Sequence, residues 1–405
     1  MNTRKRLLAL AALSLVAVAA CGDDDDDSGA SAATTEQASA TTAAPATEAP
    51  ATTQAPATTA ATATTAAPEA TQASATDAPA TTAAPADTLA PPQGEDDGEI
   101  SIVGFAVPEA ANKAIAEAWA QTPEGEGIDF KTSYGASGDQ SRAVVDGLDA
   151  DYVHFSVTSD VTRLVDAGLV SDAWDDGPNK GVVSSSIVVF AVRSGNPKGI
   201  QTWDDLIQPG VEIVTPNPAS SGAARWNALA AYGQVIEGGG TEEEATDYLT
   251  KFFENVVALP NSGRDATTAF LGGTGDVLMA YENEAILAHQ NGEEFDYIIP
   301  DTKILIENPG AYLIDANPRT ADWLNFVLSA DGQKQFALKG FRPIIDGVEF
   351  GEVEGANDPA DPYPPVTNLL TVADDFGSWS ELSKKFFDEE EGIVTKIILE
   401  SGKAE

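Results

Sequence analysis

The chain has 405 residues, 22 of them basic and 64 acidic, for a formal net charge of −42. Such an excess of carboxylates argues against nucleic acid as a partner, because phosphate binding needs a surplus of cations. It reads as solubility or adaptation to salt. A single cysteine excludes any disulfide within the chain.

Arg4, Lys5 and Arg6 precede an apolar run from Leu7 to Ala20, the form of a bacterial secretory signal. The run ends in Val18-Ala19-Ala20-Cys21, and small residues before a lone cysteine resemble the lipobox of bacterial lipoproteins. Cleavage would leave Cys21 as a lipidated N-terminus, and two or more acyl chains anchor stably where one is marginal. Asp23 to Asp27 follow, then an Ala/Thr/Pro-rich stretch from Ser28 to Gly98 without an aromatic residue. With so little to bury, residues 21–98 read as a disordered tether from the lipidated cysteine. Its reach lies between roughly 50 Å as a coil and roughly 220 Å in the polyproline-like limit. No later apolar run approaches the length of a membrane span.

From Glu99 onward strand and helix signals alternate, which predicts an α/β fold with enough chain for two lobes. Glu99 to Val107 is the first strand, with Pro108 expected at N1 of the next helix. Trp119 falls on that helix's apolar face and reads as core. Ile128 to Tyr134 is the second strand, followed by Gly135-Ala136-Ser137-Gly138-Asp139 and a helix. Asp139 stands where a nucleophile elbow would have its last glycine. Tyr152 to Val157 is a third strand, and Ser184 to Arg193 is a long β run expected to cross between lobes. Trp203-Asp204-Asp205-Leu206 is a short helix.

Glu212 to Thr215 is a short strand, and Asn217-Pro218-Ala219-Ser220-Ser221-Gly222-Ala223 then opens a helix with Ser221 at its N-cap. Glu242 to Val257 is a helix. Leu259 to Asp265 repeats the small-residue turn before a helix from Ala266. Gly275 to Tyr281 is a strand that runs straight into a helix at Glu282. Later strands are expected near Tyr297 and Ala311 to Ile314, and helices near Trp323 to Phe336 and Ser380 to Phe387. The acidic run Asp388 to Glu391 reads as a solvated face. Strands thus give way to helices on Gly, Ser or Pro at five places. Helix N-termini of this kind are anion sites if they converge.

These motifs resemble the bacterial periplasmic sulfate/thiosulfate-binding proteins, receptors of ATP-driven sulfate importers. The most specific residues are Val214-Thr215-Pro216-Asn217-Pro218, Ser220-Ser221-Gly222, Ala224-Arg225-Trp226-Asn227 and Gly275-Asp276-Val277-Leu278 with Glu282-Asn283-Glu284-Ala285. The resemblance covers Glu99 to near Phe387. It implies an α/β, two-lobed fold like type II periplasmic binding proteins, with a mixed β-sheet and flanking helices in each lobe and a hinge. Lobe 1 would comprise 99–183 plus 282–405, and lobe 2 184–281. It further implies hydroxyl donors from Ser137 and Ser221 and backbone donors from Val107, Gly222, Ala223, Gly263 and Tyr281. Arg225 and Arg264 would brace loops behind the ligand. Val107, Ala223 and Tyr281 replace the family's usual aspartate, second glycine and tryptophan, and Ala136 replaces a glycine; backbone donors survive such changes. The implied protein is a monomeric binding protein without catalysis, metal or cofactor, held on the outer face of the cytoplasmic membrane beside its permease.

Sulfate is fully ionised at neutral pH and only accepts hydrogen bonds, so a site of donors suits it. Hydrogen phosphate carries a proton and wants one acceptor, so a carboxylate in the cleft would select phosphate. Asp139 and Asp265 are the acids near the expected site; both are read as cleft-edge residues facing solvent. Receptors for phosphate or molybdate, a surface ester hydrolase and an adhesion protein are the competing readings. His154 and His289 are isolated, which argues against a metal centre, and no nucleophile has a histidine nearby in sequence.

Overall fold

The computed structural model describes residues 89–403. The expected signal segment, the lipidation at Cys21 and the tether as far as residue 88 lie outside the described residues. The first half of the chain forms β1 (Glu99–Phe105), α1 (Glu109–Trp119), β2 (Asp129–Gly135), α2 (Ser137–Val145), β3 (Tyr152–His154) and α3 (Thr158–Asp166). The long β4 (Val182–Arg193) leads through α4 (Trp203–Leu206) to β5 (Ile213–Val214), α5 (Gly222–Glu237), α6 (Glu242–Asn255), β6 (Val256–Ala258), α7 (Gly263–Leu271) and β7 (Val277–Tyr281). Then come α8 (Glu282–Gln290), β8 (Phe295–Ile298), β9 (Lys303–Tyr312), α9 (Thr320–Leu328), α10 (Ala330–Leu338), β10 (Leu369–Leu370), α11 (Trp379–Phe386) and α12 (Ile393–Glu400).

The two halves repeat one plan. Parallel strands lie in the order β2-β1-β3 in the first and β6-β5-β7 in the second. Each set is closed by an antiparallel strand: β9 on β3, with Val153 opposite Ala311, and β4 on β7, with Phe190 opposite Met279. β4 and β9 also pair with each other, Ile187 opposite Leu305 and Ser185 opposite Glu307. Two strands therefore run through both halves and form the only continuous sheet connection between them among the described residues.

Both faces of the second sheet are covered, and the period of two decides which residue goes where. Val188, Phe190 and Val192 of β4, with Val277, Met279 and Tyr281 of β7, join the large core that also holds Trp226 and Leu229 of α5. Ile187, Val189 and Ala191, with Leu278 and Ala280, face a second core against Ala285 and Ile286 of α8. In the first half Trp119 is buried as expected, its ring edge-on to Trp323 at 5.6 Å.

Four differences from the sequence-based expectation stand out. Pro108 is the N-cap of α1 rather than N1. The single helix expected from Trp323 to Phe336 is two helices, because Ser329 takes an extended conformation and its hydroxyl accepts from Gly332 N at 3.2 Å, starting α10. The β run near residue 311 begins at Lys303, and α12 carries an apolar face that the acidic run before it concealed.

His154 lies at the end of β3, fully buried. Its ring is held between Asn112 Oδ1 and Ser184 Oγ, each at 3.1 Å. Burial pushes its pKa from 6.5 down to about 3, so the folded protein keeps the imidazole neutral where the unfolded chain protonates. The stability this contributes is complete above pH 6.5 and is lost progressively as pH falls toward 3. Urea unfolding at pH 7 and pH 5 is expected to show about 2 kcal/mol of acid destabilisation from this group. His154→Gln, though less stable at both, should lose that part of the pH dependence.

Candidate functional site

The parallel strands of both halves point their carboxyl ends at the seam between them, where open α/β sheets place ligands. Val107 follows β1, Ser137 follows β2 and Ser156 follows β3, while Ser221 follows β5, Gly263 follows β6 and Tyr281 ends β7. The first N–H groups of α5, α7 and α8 have no partner within their own helices. Val107, Ala223, Gly263, Tyr281 and Glu284 line one small, partly enclosed cavity of about 10 Å³, room for about one water. Approach is close because side chains are small: a Cβ on Gly263 would stand 3.1 Å from Val107 Cγ2 and 3.4 Å from Ala223 Cβ.

Seven expected ligand residues are brought together at this seam, and their chemistry differs. Ser221 is the N-cap of α5 and 2% exposed, yet its side chain makes no capping bond to its own helix. Ser262, by contrast, caps α7 by accepting from Asp265 N at 3.1 Å. The Ser137 hydroxyl is engaged within the protein, donating to Asp160 Oδ2 at 2.6 Å and accepting from Ser156 N at 2.9 Å. Gly222 packs on Ser156, where a Cβ would stand 2.6 Å from that residue's Cβ and Oγ. Tyr281 OH and Ser156 Oγ share a hydrogen bond of 2.7 Å.

Alternation marks Ser156 only as strand interior, yet it is the meeting point of the two halves. Its carbonyl accepts from Trp226 Nε1 at 2.9 Å and from Asn308 Nδ2 at 3.0 Å. Gly138 N donates to Ser220 O at 3.0 Å and Asn261 Nδ2 to Asp139 Oδ2 at 2.9 Å, adding two more bonds across the seam. A signal is present, since Ser156 follows a β run and precedes a helix, but it has neither glycine nor proline beside it.

Sequence patterning also misses Glu284 as part of the wall. It is 3% exposed and forms a bidentate pair with Arg264, Nε to Oε2 at 3.0 Å and a terminal nitrogen to Oε1 at 2.8 Å, while Thr267 Oγ1 donates to Oε2 at 3.1 Å. Arg264 also donates to Val107 O at 3.2 Å, so it braces the loop after β1. A fork-to-fork pair of this kind is strong and directional. It leaves the one buried carboxylate of the wall without a free charge. Asp139 and Asp265 do not line the cavity: Asp139 pairs with Arg142, and Asp265 is exposed and bonded to Ser262 Oγ at 2.7 Å. Arg225 does not line it either; its guanidinium lies beside the Phe387 ring, at 5.2 Å.

Residues 100–342 match the family model for bacterial extracellular solute-binding proteins. The chain belongs to that family, and its fold is the two-lobed, type II α/β architecture with a mixed sheet and flanking helices in each lobe. It is 39% identical over 300 residues to the sulfate-binding protein of Synechococcus elongatus, covering 71% of this chain and 83% of the relative. It is 34% identical to the thiosulfate-binding protein of Pseudomonas aeruginosa, covering 68% and 84%. Among solved structures it is similar to the sulfate-binding protein SubI from Mycobacterium tuberculosis H37Rv, at 42% identity and a TM-score of 0.67, covering 72% of this chain and 99% of that one.

The geometry of the Arg264–Glu284 pair predicts an asymmetry. Arg264→Met strands a buried carboxylate and is expected to cost about 3 kcal/mol of stability. Glu284→Gln keeps volume and the Thr267 contact, and Arg264 is exposed enough to turn to water, so it should cost distinctly less. Chemical denaturation of the two variants checks the order.

Proposed function

We propose that the chain is the extracytoplasmic receptor of an ABC importer, and that it captures sulfate, or thiosulfate, between its lobes and delivers it to the membrane permease. The observation that carries this reading is the convergence of helix starts on one small cavity, whose walls part to admit the anion. Helix starts from α5, α7 and α8 line it, the loop after β1 closes it, and its only carboxylate is neutralised by Arg264. Removing a dianion from water is costly, so its site must supply many preorganised donors in a low dielectric. The backbone N–H groups of Val107, Gly222, Ala223, Gly263 and Tyr281, with the Ser221 hydroxyl, are those donors in our reading. Ser137 joins them by turning its hydroxyl from Asp160 to the ligand. A site without a free acceptor favours sulfate over hydrogen phosphate.

In this reading the lobes divide at residues 183/184 and near 281, with β4 and β9 as the hinge. Later segments complete both sides, since α8 packs on the second sheet. Ligand contacts from both lobes favour the closed arrangement. The protein acts as a monomer, secreted by residues 1–20 and anchored through lipidated Cys21 and the tether. Fractionation of cells expressing the full chain tests the anchor: Cys21→Ala is expected to move the protein from the membrane fraction, and its retention there would overturn that part.

Calorimetry at neutral pH is expected to give micromolar or tighter binding of sulfate, about −8 kcal/mol. Phosphate and molybdate should bind at least about a hundredfold more weakly, and tighter binding of either would overturn the choice of ligand. Gly222→Ala places a methyl group against Ser156 and so blocks closure. A loss of at least about tenfold in sulfate affinity is expected, and unchanged affinity would remove the cleft from the account.

A further inference from the structure

Beside the seam lies a second and much larger opening, a groove of about 680 Å³. Its walls come from α2 and α3 on one side, the loop of residues 217–219 with Arg225 on the other, and α11 and α12 above. In a chain of net charge −42, this groove gathers Arg142, Arg163, Arg225 and Lys384. Asp388 and Glu389 stand on its wall as the opposing charges.

Two of the four cations are already paired, Arg142 with Asp139 and Arg163 with Asp160 at 3.0 Å. Arg225 and Lys384 have no carboxylate within 4.0 Å among the described residues. Arg225 is the more telling of the two. Its Nε donates to Pro218 O at 3.1 Å, its guanidinium sits beside the Phe387 ring, and it borders the groove. A half-buried guanidinium with no carboxylate in contact, attracted by Asp160 only at a distance and repelled by Arg163 and Arg142, gains from a bound acid group. The Ser159 hydroxyl, on the same wall, is buried with no hydrogen-bond partner. The remaining lining is apolar, with Phe387, Val394 and Ile398 buried and Leu399 55% exposed.

We propose that this groove is a second ligand site, for a small organic anion with one sulfonate or carboxylate group and an apolar ring or branched chain. The acid group takes Arg225 and Lys384, and the apolar body covers Phe387, Ile398 and Leu399. An inorganic oxyanion would leave that apolar wall unused, and the volume falls in the range of small-molecule pockets. Within the first turn of α5, Gly222 and Ala223 turn toward the seam while Arg225 turns into the groove, so the two sites are separate. The proposal is independent of the ligand assigned to the small cavity.

Benzenesulfonate titrated into the full-length protein in excess sulfate, followed by calorimetry, tests it. Saturable binding at one site is expected, with a dissociation constant on the order of 1 mM or below. Lys384→Glu reverses a charge and Thr395→Trp fills the groove. Each should weaken binding at least about tenfold, with thermal midpoints close to the parent's confirming intact folds. No saturation by about 10 mM, equal binding in both folded variants, or displacement by sulfate would each overturn the assignment.

Discussion

Everything at the seam follows from bringing the positive ends of several helices to one small volume. The starts of α5, α7 and α8 border the same cavity, and α2 begins beside Ser220 at the foot of α5. Helix N-termini carry partial positive charge and unpaired N–H groups, so their convergence is unfavourable without a negative partner. No carboxylate of the cavity wall is free to act as that partner. Glu284 is held by Arg264, and Asp139 and Asp265 are placed outside. Small residues at Gly222, Ala223 and Gly263 let the backbone itself form the wall.

Contact between the two halves rests on Ser156 to a degree out of proportion to its size. One residue accepts from Trp226 and Asn308, donates to Ser137 and shares a proton with Tyr281, and Gly222 packs against it. Those partners come from α2, α5, β7 and β9, so the carbonyl, amide and hydroxyl of one residue together tie the two halves to each other. Burial also raises the pKa of the Tyr281 hydroxyl far above its ordinary value, keeping it a neutral hydrogen-bonding group.

The strand-to-helix junctions are legible in the sequence because glycine, serine and proline leave a compositional mark at such turns. That mark places Ser137, Ser221, Gly222 and Gly263 at helix starts, and the abrupt step from strand to helix does the same for Tyr281. Ser156 leaves no such mark: its neighbours Phe155 and Val157 are both buried core residues, so alternation makes it one more strand position. Glu284 is hidden for the opposite reason, since a carboxylate in the first turn of a helix is ordinary on the surface and only tertiary packing buries it. Arg225 shows how far spacing can mislead, for it lies only three residues from Gly222 and yet turns into a different opening. The pairing of β4 with β9 is beyond the reach of sequence patterning, because nothing local specifies a partner more than a hundred positions away.

That long-range pairing governs how the molecule can be made. β3 finds its antiparallel neighbour only in Gly310–Tyr312, after the entire second parallel sheet has been synthesised. The first lobe therefore cannot complete its sheet as an independent nascent unit, and contacts between such distant segments form slowly. A chain built this way closes its first sheet only after about three-quarters of it has emerged, so its working shape comes late.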